Sequence, residues 1–119
     1  RIDTDYEPLV TAGGYDHNWV LDETPDGTAD GARRAAYVYS DNSGIEMAVD
    51  TDLPGIQMYT ANFLDQEKGK DGHVYPKRSA VCFETQYFPD AINKPEFASP
   101  VVKAGEEYKT TTIYKFGVK

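Results

Sequence analysis

Cysteine is almost missing from this chain: among 119 residues there is one, Cys82. A single cysteine forms no internal disulfide. With only two histidines, His17 and His73, the chain has no zinc-ligand spacing, so a zinc site is not expected; no other metal and no cofactor is expected either. Basic residues are scarce, 12 Lys and Arg against 20 Asp and Glu, for a formal charge of −8. Nucleic acid and anionic membrane both require a basic face, so neither is expected as a partner. No apolar run approaches the roughly 18 residues that span a bilayer. There is no Gly-x-Ser-x-Gly elbow and no phosphate-cradling glycine motif. No signal peptide is visible, and a cytoplasmic location is the expectation. The chain nevertheless opens "RIDTDYEPLV" without Met, so the natural N-terminus, and any targeting segment with it, is expected to be missing.

What the chain does have is aromatic residues and short alternating segments. Nine Tyr, five Phe and one Trp argue against disorder despite an apolar fraction of 39%. Period-2 patterning predicts strands over 15–22, 33–40, 44–51, 55–60, 79–86 and 107–119, each bounded by turn formers. "SDNSG" (40–44) reads as a hairpin loop with Gly44 at positive φ, and "DLPG" (52–55) as a Pro-Gly turn. "TPDGTADGA" (24–32) is a solvated Asp-Gly connector. No 3.6-period segment reaches helical length. Two long loops are predicted, 62–77 with its charges around Gly69 and Gly72, and 87–100 with three prolines that bar a central strand. The expected fold class is all-β and antiparallel.

The strand "SAVCFETQ" carries a carboxylate where an apolar residue would be expected. Alternation puts Ala80, Cys82, Glu84 and Gln86 on one face and Val81, Phe83 and Thr85 on a core-like other. Cys82 is read as a small buried residue rather than a nucleophile. The Glu84 face is small and then polar, which suits a polyhydroxylated ligand. From alternation alone, a solvent-facing Glu on an edge is the simpler reading. "GIQMYT" places Gln57 with Tyr59, and "GYDHNWVL" places Asp16 with Asn18 and Val20. Three strands thus each offer an amide or carboxylate among apolar neighbours, and together they suggest one polar patch on a sheet. His17 falls with Tyr15, Trp19 and Leu21 as a hydrogen-bonded, half-core histidine, and His73 as a solvated loop residue. Arg33 and Arg34 read as surface residues at the start of a strand.

Taken in order, "GYDHNWVL", "PGIQMYTANFLD", "GKDGHVYPKRSAVCFETQYFPDAINKPEF" and "VKAGEEYKTTTIYKF" resemble the C-terminal part of the aldose 1-epimerase, or galactose mutarotase, family. The likeness runs from about Gly13 to Phe116. Its most specific stretch is Glu84-Thr85-Gln86 followed by Phe88-Pro89-Asp90-Ala91 and Asn93-x-Pro95. The resemblance implies a galactose mutarotase-like antiparallel β-sandwich that binds a free hexose and interconverts its α and β anomers. It implies Glu84 as general base, and Asp16 and Gln57, with Glu84, as sugar contacts. The rival from another class is a carbohydrate-binding β-sandwich that grips sugars without turning them over. A lone carboxylate aimed at the anomeric carbon separates the two.

The sequence also departs from the family. The family's catalytic histidines come from an upstream region that this chain lacks, and neither His17 nor His73 matches them. Residues 1–119 are therefore expected to be the C-terminal part of a single sandwich domain, carrying the base without the acid. Its expected partners are a hexose and the missing N-terminal part of the same protein.

Overall fold

The computed structural model of the protein describes residues 5–22 and 31–119, so most of the 24–32 connector lies outside the described residues. Among the described residues, one short α-helix, α1 (Glu7–Ala12), precedes eight strands: β1 (Asp16–Val20), β2 (Arg33–Tyr39), β3 (Ile45–Thr51), β4 (Gly55–Tyr59), β5 (Glu67–Lys68), β6 (Val74–Tyr75), β7 (Cys82–Gln86) and β8 (Thr112–Val118). They form three sheets, β1-β4-β7, β2-β3-β8 and β5-β6. Antiparallel sheet with so little helix is the make-up of an all-β sandwich. The chain divides into two compact units. One holds the chain up to Trp19 together with Gln57–Glu84, the other Val20–Ile56 and Thr85–Lys119.

In the first unit, α1 is only six residues long, too short to show a 3.6-residue period, which is why alternation did not reveal it. Its punctuation is in the sequence all the same. Pro8 stands in the first turn, and Gly13 closes the helix at φ +69, donating to the carbonyls of α1. Leu9 is buried and anchors it. β1 and β4 run antiparallel, with Thr60 N donating to Tyr15 O within this unit (3.0 Å) and Leu21 N to Pro54 O within the second (3.1 Å). The steps from 15 to 21 and from 60 to 54 are equal, so the register is unbroken. Asn18 therefore stands opposite Gln57, and Asp16 shares their face. The predicted loop 62–77 contains a miniature hairpin, β5 paired with β6, every residue of it exposed.

The second unit is built on β2-β3-β8, whose core is Ala48 and Val49 with Ala32, Leu53, Ile56 and Ala91 also buried. The "SDNSG" hairpin forms as expected, with Gly44 at φ +71 and its N–H donating to Ser40 O (2.8 Å). A bulge at Ala35 breaks the β2–β3 register between Arg34 and Ala36. Asp50, 4% exposed, is the buried charge among the described residues. It accepts from Arg34 Nε and from Lys115 Nζ (2.7 Å), so one carboxylate ties β3 to both its neighbours. Those two bonds hold its pKa below the ordinary 3.8. Arg33, read as a surface residue, instead donates to Leu53 O (2.9 Å).

Two expectations fail at β7. Cys82 is exposed rather than buried, and Val81, assigned to the core-like face, is 46% exposed. Val81 lies just before the strand begins, while Phe83 and Thr85 within the strand are half-buried. Strand 107–119 is also shorter than predicted, because regular pairing begins only at Thr112.

Candidate functional site

The three candidate polar residues stand on the three strands of one sheet: Asp16 opens β1, Gln57 is central in β4, and Glu84 is central in β7. Asp16 and Glu84 are exposed and Gln57 is half-buried. Gln57 Nε2 donates to Asp16 Oδ1 at 2.8 Å, a diagonal contact across the β1–β4 pair. An ionised carboxylate only accepts, so the amide nitrogen must face it. A carboxylate can accept about four hydrogen bonds, so the bond to Gln57 leaves Asp16 capacity for hydroxyl donors. Tyr59 lies on the same face of β4 as Gln57, stacked on Phe63 at 6.2 Å between ring centroids.

The opposite face of β1 is occupied differently. Tyr15, His17 and Trp19, with Asn18 between them in the chain, line a cavity of about 320 Å³ together with Tyr6, Pro8 and Leu9 around α1. His17 is half-buried, meets the Tyr15 ring edge-on, and accepts the Asp16 backbone N–H on Nδ1 (3.0 Å). That bond fixes Nδ1 as an acceptor, so the neutral ring carries its proton on Nε2.

Alternation did not find the cluster that anchors the start of β1. Thr60 and Asn62 are each 4% exposed. Asn62 Nδ2 donates to Ala12 O (3.1 Å) and Tyr15 O (2.8 Å), and Asn62 Oδ1 accepts from Thr60 Oγ1 (2.7 Å). Tyr15 N donates in turn to Thr60 Oγ1 (3.0 Å), and Arg78 Nη2 to Gly13 O (3.0 Å). Ala61, between Thr60 and Asn62, is held at φ +52, and Arg78 at φ +66. A non-glycine residue there costs about 1–3 kcal/mol and persists only where its surroundings over-determine it. Gly14 is required by contact, since a Cβ on it would lie 2.2 Å from Asn62 Oδ1. The signal in the sequence was a polar Thr60-Ala61-Asn62 directly after an apolar strand, with partners some 45–50 residues away.

Among the described residues no group of three His, Cys, Asp or Glu side chains is placed to hold a metal ion, and no helix is long and apolar enough to cross a membrane. What the face of β1 and β4 offers is a carboxylate and an amide locked together beside an aromatic ring, a surface able to hydrogen-bond and stack on a polyhydroxylated ring.

The profile of the family described as Aldose 1-epimerase matches residues 2–115. The chain belongs to the aldose 1-epimerase family. It is 46% identical to galactose mutarotase of Rattus norvegicus over 106 residues, 88% of this chain and 30% of the rat protein. It is 32% identical to aldose 1-epimerase of Escherichia coli (strain K12), over 87% of this chain and 29% of that protein. The crystal structure of a GalM/aldose epimerase homologue from C. elegans superposes with a TM-score of 0.76 at 27% identity, covering 87% of this chain and 30% of that one. The chain thus spans under a third of the length of each of these relatives.

Proposed function

We propose that this chain is the C-terminal portion of an aldose 1-epimerase acting on free hexoses, with galactose or glucose as substrate. Glu84 is the general base, and Asp16 and Gln57 hold sugar hydroxyls. Membership of the family is the observation that supports the reading, together with the place of these three residues on the three strands of one sheet. Glu84 takes the proton from the anomeric O1 hydroxyl while an acid protonates the ring oxygen. The C1–O5 bond breaks, leaving an open-chain aldehyde. Rotation about C1–C2 presents the other face of the carbonyl to the O5 hydroxyl. On closure O5 attacks C1 while the deprotonated acid takes back the O5 proton and Glu84 returns its proton to O1, which gives the other anomer with no net change in protons or electrons.

The acid is a histidine from the upstream portion of the protein. His17 does not fit that role, with its Nδ1 bonded to the Asp16 backbone beside a cavity on the far side of β1. In this reading Asp16 and Gln57 act as one unit: the amide fixes the carboxylate so that its remaining lone pairs meet hydroxyls without reorganising. The test is polarimetry of freshly dissolved α-galactose or α-glucose with the full-length protein. Sugar binding with no acceleration of mutarotation would instead mark a carbohydrate-binding module built on the same scaffold.

A further inference from the structure

We propose that Asn62, working with Thr60, is a positioning residue for Asp16. The proposal rests on the reading of Asp16 as a sugar contact and adds how that contact is held in place.

Asp16 follows directly on Tyr15, and both backbone polar groups of Tyr15 are gripped by this pair. The Tyr15 N–H goes to Thr60 Oγ1 at 3.0 Å. The Tyr15 carbonyl accepts from Asn62 Nδ2 at 2.8 Å and from the Thr60 backbone N–H at 3.0 Å. Thr60 Oγ1 then donates to Asn62 Oδ1 at 2.7 Å, closing the cluster on itself. Asn62 also reaches Ala12 O at the end of α1, so one buried amide fixes both ends of the Gly13–Gly14 turn. The turn packs so closely that Gly14 has no room for a side chain against Asn62.

Asn62 does not reach the sugar-facing side itself. Its effect passes through the backbone to the first residue of β1, where Gln57 grips the Asp16 side chain from the neighbouring strand. Asp16 is therefore located from two directions, by the Asn62–Thr60 pair at its backbone and by Gln57 at its carboxylate. Asp16 is exposed, so beyond the Gln57 bond little packing would restore its place if the backbone support were lost. A contact residue on an exposed strand end needs that support, because small displacements weaken a hydrogen bond steeply.

The test uses the full-length protein with Thr60→Val, which keeps the volume and removes the hydroxyl, with Asn62→Asp, which removes the Nδ2 donor, and with Thr60→Ser as the conservative rescue. Mutarotation is followed well below the melting temperature of each variant, with Asp16→Asn in parallel. The expected result is a KM raised about tenfold in Thr60→Val and Asn62→Asp with kcat within about twofold, a fraction of the 10²-fold that a 1 Å misplacement can cost. Thr60→Ser should return KM to near the parent value. If Asp16→Asn raises KM but a folded Thr60→Val or Asn62→Asp leaves it unchanged, the positioning role is overturned and the sugar contact stands. If Asp16→Asn itself leaves KM unchanged, the sugar contact fails. Failure of both cluster variants to fold would overturn the proposal too, by making the pair a requirement of folding rather than of sugar placement.

Discussion

Gln57 reaches diagonally across the β1–β4 pair to donate a 2.8 Å hydrogen bond to the Asp16 carboxylate. The two side chains come from strands 41 residues apart in the chain, and each restricts the rotamers open to the other. Gln57→Ala should therefore loosen Asp16 as well as remove one sugar contact. The expected outcome in the full-length protein is a rise in KM with little change in kcat, and the same for Asp16→Asn. The double variant should cost less than the sum of the two, because the residues share a bond. A fall in kcat at constant KM would place the pair in the chemical step instead.

Gly14→Ala should destabilise the protein. Its backbone has φ +147, and the added Cβ would meet Asn62 Oδ1 at 2.2 Å. Strain and overpacking together should cost about 1–3 kcal/mol. Urea unfolding should show a lower midpoint at an unchanged m-value. An unchanged midpoint would mean that the Gly13–Gly14 turn is not held as described.

Asp50 sets an acid limit on stability. Its carboxyl is held below its ordinary 3.8 by hydrogen bonds from Lys115 and Arg34. A depressed folded pKa means stability that is present above pH 3.8 and lost as the pH falls through the lower folded value. Thermal unfolding from pH 6 downward should show less of this loss in Asp50→Asn than in the parent. Added salt should weaken the effect, since Arg34 and Lys115 are both more than half exposed. Parallel curves for parent and variant would contradict the account.

If, as proposed, Glu84 is the base and the acid lies upstream, the 119-residue chain on its own should not accelerate mutarotation. Supplying the upstream portion, in the same chain or as a second polypeptide, should restore the rate. A purified 119-residue chain that works at the rate of the full-length protein would return His17 and His73 to consideration as the acid.

The β2–β3 hairpin was legible because its alternation is regular and its loop carries a glycine where positive φ is needed. β7 was legible as a strand, but the exposure of Val81 and Cys82 was not: alternation says which residues share a face and not what covers that face. α1 escaped because six residues show no period, although Pro8 and Gly13 mark its ends. For the site, the residue types at 16, 57 and 84 could be read as a polar patch from the sequence, and the roles proposed for them come from the resemblance. The support beneath Asp16 could not be read, because Thr60 and Asn62 bond to residues 45 to 50 positions away, and side-chain pairings at that separation leave no periodic trace.

The central claim is that Glu84 abstracts the O1 proton, and polarimetry of Glu84→Gln in the full-length protein tests it most directly. The amide keeps the shape and loses the base. The account predicts a loss of roughly 10²–10⁴-fold in kcat for freshly dissolved α-galactose or α-glucose, with sugar binding retained. A variant that keeps half the parent rate would contradict it.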